Sequence, residues 1–151
     1  MKTSLRLPVS AEILIPHAPP MRWVERLLRV DGEKGEAASH RLSENPLFSD
    51  TAVLPLFVMA ELIAQAYAAM KGYQDLSAGL PVRKGFLVGI RRIRIFECVY
   101  GTRAFLIRIR PTGALGGFYM AEGEVTLDGR CVAEGSVKVW IPGKAQEAAF
   151  Q

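Results

Sequence analysis

From Val53 to Met70 the chain reads VLPLFVMAELIAQAYAAM, an apolar run broken only by Glu61 and Gln65. Those two positions are four residues apart, so on a helix they stand one above the other on one face. Pro55 suits the first turn, where its missing N–H costs nothing, and Gly72 suits a C-terminal stop. Ala, Leu and Met dominate the interior, and all are strong helix formers. The pattern predicts a helix over 53–70 that is apolar nearly all round and therefore enclosed by other elements. A membrane span needs about 20 apolar residues. This run is shorter and carries a carboxylate near its middle, which a bilayer penalises.

Elsewhere the apolar positions alternate. Trp23 to Val30 reads as a first strand, Asp31-Gly32 as a turn, and Glu36 to Leu42 as a second, antiparallel strand. Gly85 to Phe96 reads as a long strand with Phe86, Val88 and Ile90 on one face and Ile93 and Ile95 on the other. Side chains alternate with period two, so this slip predicts a bulge near Arg91–Arg92. Arg103 to Arg110 forms the next strand, followed by a loop from Pro111 to Gly117. Phe118 to Leu127 and Arg130 to Ile141 flank Asp128-Gly129, the strongest hairpin signal in the chain.

The segments between are irregular. Residues 1–15 read as a lead-in with one helical turn near Ser10–Leu14. In Ile15 to Met21, Pro16, Pro19 and Pro20 forbid a regular helix or central strand. Ser43–Ala52 and Tyr73–Pro81 read as loops. Pro142 ends the last strand, and the tail beyond it is expected to fray. The order β-β-α-β-β-β-β predicts an α+β layer arrangement, a long helix wrapped by a curved antiparallel sheet of about six strands. Such a sheet has edges, and pairing across a two-fold axis protects one, so a dimer is expected.

The 151 residues give room for one domain, 1–151, with its core over about 15–142. Half the residues are hydrophobic and 23% are charged, an ordinary globular balance. The net charge of +4 favours acidic partners without choosing among them. Cys98 and Cys131 are too few for a disulfide framework, lack metal-ligand spacing, and read as ordinary strand residues. The first twenty residues lack the apolar core of a secretory signal, so a cytoplasmic location is expected. No phosphate loop, zinc motif, nucleophile elbow or dinucleotide fingerprint is present, and neither a metal nor a cofactor is expected.

Burying a carboxylate is costly unless it is paired or protonated. No cation lies within one turn of Glu61 along the helix. Two readings of it stay open: a general acid or base, or a packing residue that reaches solvent or bonds Gln65.

Three stretches in order carry a family resemblance. They are Ile15-Pro16-His17 with Pro20-Met21 and Val24-Glu25-Arg26, then Leu54-Pro55 with Glu61-Leu62-Ile63-Ala64-Gln65, then Gly85 to Arg94. Together they resemble the hotdog-fold 3-hydroxyacyl-acyl carrier protein dehydratases of fatty acid synthesis, over roughly Ile15 to Pro142. Among these the chain looks closest to the divergent branch that accompanies aryl polyene synthesis. The resemblance implies a lyase acting on acyl thioesters carried on the phosphopantetheine of acyl carrier protein or coenzyme A. It places Glu61 on the catalytic carboxylate. It places Pro55, Leu56 and Phe57 where helix-start N–H groups hold the thioester carbonyl. Gln65 is expected beside the acyl chain, and Gly89 reads either as a point where that chain passes close to the backbone or as a bulge. Arg83, Lys84, Arg91, Arg92 and Arg94 fall where a carrier protein would dock.

Two departures stand out. The family has glycine after the helix-start proline, where this chain has Leu56. The family's loop histidine is absent from the shortened stretch Asn45 to Pro55. Asp50 in that loop and His17 are the substitutes, as second acid or base. Asp50 otherwise reads as a turn residue, and His17 as a structural hydrogen-bonding group. His40 reads as an ordinary sheet residue. The basic cluster otherwise reads as a solvated strand face, and without interleaved aromatics it does not suit nucleic acid; no membrane partner is expected. Two alternatives to dehydration stay open, a thioesterase using Glu61 and a non-catalytic acyl or carrier-protein binding homologue. The missing histidine also allows a dehydratase of impaired activity.

Overall fold

The computed structural model describes residues 5–143, so the start of the lead-in and the tail beyond Gly143 lie outside the described residues. The elements in order are β1 (Val9–Ser10), α1 (Ala11–Leu14), β2 (Val24–Asp31), β3 (Lys34–Ser39), α2 (Leu56–Ser77), β4 (Phe86–Ile95), β5 (Leu106–Leu115), β6 (Phe118–Leu127) and β7 (Arg130–Trp140). A short 3-10 turn, Leu42–Glu44, lies between β3 and α2. The strands form one antiparallel sheet in the order β1-β2-β3-β5-β6-β7-β4. There are seven, one more than the alternation predicts, because the two-residue β1 adds to the edge of β2.

The apolar run does form the enclosed helix, but α2 starts and ends later than predicted. Pro55 is its N-cap rather than a first-turn residue. Gly72 does not stop the helix, which continues to Ser77 through the stretch read as a loop. Glycine is needed there for another reason: a Cβ on Gly72 would lie 1.9 Å from the carbonyl oxygen of Leu14. The expected helical turn, α1, is capped by Ser10, whose hydroxyl accepts from the Glu12 N–H, and it crosses α2 at that glycine.

The face of α2 that meets the sheet is filled by Met59, Leu62, Ile63, Ala66 and Met70, all buried against Ile107, Ile109, Ala121 and Val125. Each large side chain so buried contributes about 1.5–3 kcal/mol. Gly123 lets β6 approach the helix, since a Cβ there would lie 2.5 Å from Ile63.

Several strand boundaries move. β3 ends at Ser39, so His40 sits just outside it, exposed, with its N–H donated to the Trp23 carbonyl. β5 starts at Leu106 and runs through Pro111, where a loop was expected; a register shift between Pro111 and Gly113 accommodates the proline, and the turn is Gly116-Gly117. Cys98 lies outside any strand and is exposed, whereas Cys131 is in β7. The Asp128-Gly129 hairpin forms as predicted, with positive φ at both residues.

The bulge near Arg91–Arg92 is present: the register shifts between Arg91 and Arg94, and Arg92 has φ 54°. A second shift lies between Leu87 and Gly89, so Gly89 marks a bulge, one of the two readings the sequence leaves open for it. Residues directly opposite share a face. Leu87 and Ile90 face Val139 and Val137, so Ile90 does not share a face with Phe86, which pairs Trp140.

Candidate functional site

Glu61 lies in the second turn of α2, with its side chain 22% exposed. One turn on, Gln65 is completely buried and fully hydrogen-bonded. Its Oε1 accepts from the backbone N–H groups of Trp23 (2.8 Å) and Val24 (3.2 Å). Its Nε2 donates to the Met21 carbonyl (2.8 Å) and to Glu61 Oε1 (3.0 Å). The two N–H donors at one end fix which end of the amide faces the carboxylate. Gln65 is therefore occupied as a bridge between the helix and the proline-rich segment, and its amide has no capacity left for an acyl chain.

That segment delivers His17, whose Nε2 lies 3.5 Å from Glu61 Oε1. A polar partner for the carboxylate, lacking along the helix, thus comes from another part of the chain. The other ring nitrogen, Nδ1, is enclosed and has no hydrogen-bond partner among the described residues. The segment is pinned from several sides. Asn45 Nδ2 and the Trp23 indole N–H both donate to the Pro20 carbonyl. The Trp23 ring meets Phe48 edge-on with centroids 5.0 Å apart. The shortened loop that lacks a histidine is therefore packed on the segment that supplies one. Trp23, Asn45 and Phe48 were not singled out from the sequence. Only their nearness to the prolines and the helix start could have pointed to them.

The other expected residues separate. Asp50 is exposed in its turn, and among the described residues the polar partners of Glu61 are Gln65 and His17. Leu56 and Phe57 are 53% and 57% exposed beside Pro55, and as the first two helical residues their N–H groups have no intrahelical acceptor, whereas Val58 donates to the Pro55 carbonyl. Gly89 marks the register shift in β4, and a Cβ there would meet Lys138 at 3.3 Å. The basic cluster does not form one surface. Arg83 is engaged in a two-pronged pair with buried Asp75, at 3.0 and 3.1 Å. That hydrogen bonding raises the pKa of the guanidinium further. Burial likewise pushes the Tyr67 hydroxyl up to about 12, with Tyr119 and Asp75 adding to the effect, and raises the Cys131 thiol. Arg92 and Arg94 line a groove of about 700 Å3 on the solvent face of the sheet, together with Arg108, Arg110, Glu122 and Glu134. Charges there offset one another: Arg108 pairs Glu36 at 3.5 Å, and Arg110 pairs Glu122. Neither Glu61 nor His17 borders it. Lys84 and Arg91 are exposed outside it.

Among the described residues no group of side chains could hold a metal ion, and no helix is long and apolar enough to cross a membrane. What the arrangement offers is a partly enclosed carboxylate, an imidazole beside it, and open helix-start N–H groups one turn away.

No curated protein matches the sequence. Among solved structures, the dehydratase heterocomplex ApeI:P from Xenorhabdus doucetiae is similar at TM-score 0.81 and 20% identity, over 97% of this chain and 98% of that one. The dehydratase domain of RzxB from Pseudomonas fluorescens is similar at TM-score 0.66 and 16% identity, over 89% of this chain and 49% of that one. A thioesterase related to phenylacetic acid degradation, from Ralstonia eutropha, is similar at TM-score 0.55 and 14% identity, over 76% and 82%. At these identities the likeness establishes the hotdog fold and nothing finer. Residues 9–150 match the family model described as ApeP-like, ApeP dehydratase. Nearly the whole chain is covered, and the protein belongs to the ApeP-like dehydratase family.

Proposed function

We propose that the protein removes water from a 3-hydroxyacyl thioester borne by acyl carrier protein, with Glu61 and His17 as its acid–base pair. The observation that carries this reading is the 3.5 Å approach of the His17 imidazole to Glu61, which supplies a second proton-handling group where the loop has none. Dehydration needs a proton removed beside the thioester carbonyl and a proton delivered to the departing hydroxyl. Both can be met at this one site. The unpaired N–H groups of Leu56 and Phe57 would polarise the carbonyl from the helix start.

The pantetheine and its carrier would approach from the exposed mouth of the helix. Lys84 and Arg91, free of the groove on the other face, suit an acidic carrier surface. Arg83 does not, because Asp75 occupies it. The reaction needs no resident cofactor beyond the carrier's own arm. The ten-residue edge strand β4 with exposed Val88 and Ile90 supports assembly with a second copy.

Incubating the purified protein with 3-hydroxyacyl carrier protein and following enoyl formation tests the reading. Glu61→Gln should lower the rate by about 10²–10⁴-fold. Equal rates for wild type and Glu61→Gln would overturn it. Release of free acid from an acyl thioester would instead identify a thioesterase.

A further inference from the structure

We infer that Asn45 is a positioning residue for His17: the shortened loop, which carries no histidine of its own, props up the segment that does. This rests on the dehydratase reading above. Pro16, Pro19 and Pro20 have no N–H, so three of residues 16–20 can be tied down only through their carbonyls. The His17 and Ala18 carbonyls are used locally. That of His17 accepts from Arg22 Nη1 at 3.4 Å, and that of Ala18 accepts from the Met21 and Arg22 N–H groups at 2.9 and 3.2 Å. Those bonds close a tight turn without fixing where it sits. The Pro20 carbonyl fixes it. It accepts from the Trp23 indole N–H at 3.0 Å and from Asn45 Nδ2 at 2.8 Å, which fills both its lone pairs. Among the described residues, the bond from Asn45 is the only hydrogen bond that joins residues 16–20 to a distant part of the chain. Gln65 holds Met21, Trp23 and Val24, the far end of the segment, and does not reach the turn itself.

Asn45 can act as a prop because it is itself held. It follows the 3-10 turn Leu42–Glu44, whose Leu42 is completely buried and whose Ser43 N–H donates to the Gly101 carbonyl at 2.9 Å. The Asn45 N–H donates to the Leu42 carbonyl at 3.0 Å, and its own carbonyl accepts from the Phe48 N–H at 2.9 Å. Its Oδ1 accepts from the Leu47 N–H at 2.9 Å. That last bond settles the direction of the amide, with its oxygen toward Leu47 and its NH2 group toward Pro20. A stiff path thus runs from Gly101 through Asn45 to Pro20, three residues from the imidazole that lies 3.5 Å from Glu61.

Proton transfer depends on distance and direction, and a misplacement of about 1 Å can cost on the order of 10²-fold. Without the bond from Asn45 the turn would be held only at its two ends, and His17 would be free to ride away from the carboxylate. Asn45 does this through Pro20 and His17, not by meeting the reacting atoms.

Kinetics on the full chain provide the first test. Asn45→Asp keeps an acceptor for the Leu47 N–H and removes the donor to Pro20, and Asn45→Ser does the same without a charge. Each should lower kcat by about 10–100-fold and leave KM unchanged. In a chain that already carries His17→Gln, neither should cause a further loss. An equal fold-loss in both backgrounds, or no loss beside an intact His17, would overturn the inference. The second test needs no turnover. Diethyl pyrocarbonate acylates accessible imidazoles, and the two histidines of the chain can be read separately by peptide mass spectrometry. His40 is exposed and serves as the internal reference, while the His17 side chain is 27% exposed. Asn45→Asp and Asn45→Ser should speed modification of His17 and leave that of His40 as it was. An unchanged rate at His17 would overturn the inference whatever the turnover. An inert wild type in which these variants release His17 would sink the dehydratase reading, while the prop from Asn45 to His17 would stand.

Discussion

Tyr67 follows Gln65 by two positions on α2 and is 2% exposed. Its hydroxyl keeps its proton up to about pH 12, chiefly because burial penalises the phenolate. In the unfolded chain it ionises near its ordinary value of 10. Between those limits the folded state binds more protons than the unfolded one, so stability falls as pH rises. The contribution is fully present below pH 10 and is lost as pH climbs to about 12; it amounts to on the order of 2 kcal/mol. Chemical unfolding measured from pH 9 to 12 should show this decline, and Tyr67→Phe should flatten it. A neighbouring pair makes the second residue-scale prediction. Asp75 is buried and depends on Arg83 for its compensation. Arg83→Ala should cost about 2–3 kcal/mol by stranding the carboxylate, and Asp75→Asn in the same chain should recover part of it, as denaturant midpoints would show. At this scale the contact between Glu61 and Gln65 was legible from their spacing, whereas family likeness singled out His17 without placing it beside Glu61. It hid the Asp75–Arg83 pair because Asp75 lay in a stretch read as loop. It hid the bond between Gln65 and the backbone of Trp23 and Val24 because no spacing rule connects residues 42 positions apart.

Glycine was the main source of error for whole elements. Gly72 carries the usual signature of a helix end, yet its lack of a side chain serves contact between α1 and α2. In an ordinary exposed helix, glycine to alanine would stabilise by about 1 kcal/mol. Here Gly72→Ala should destabilise by about 1–3 kcal/mol, because the added methyl meets the Leu14 carbonyl, a backbone group that cannot rotate away. A rise in melting temperature in that variant would contradict the packing described. Pro111 misled in the same way. It removes one donor from β5, but the register shift beside it lets the ladder resume. The long helix, the Asp128-Gly129 hairpin and the Arg91–Arg92 bulge were readable because each leaves a periodic or turn signature in its own residues. The second shift in β4 was only half readable, since Gly89 suited a bulge and a close backbone approach equally well.

For the molecule as a whole, the two edges of the sheet are unequal. One is the two-residue β1, too short to recruit a neighbour; the other is β4, ten residues long, with Val88 and Ile90 each 49% exposed. Long edges with exposed apolar side chains invite pairing. Light scattering should report a dimer or larger species, and Val88→Lys with Ile90→Glu should shift it to the mass of a single chain; a monomeric wild type would refute this use of the edge. The overall architecture was the most readable level, because one enclosed helix among alternating strands leaves few alternatives. A last consequence follows from how His17 is held. The stretch bearing it is moored twice, where Leu14 abuts Gly72 and where Gln65 grips Met21 through Val24. Between those moorings the chain is a taut span across the helix mouth. Lengthening it by one residue would slacken the imidazole away from its carboxylate while both anchorages held, so the fold would stay sound and, on the dehydratase reading, turnover should fall.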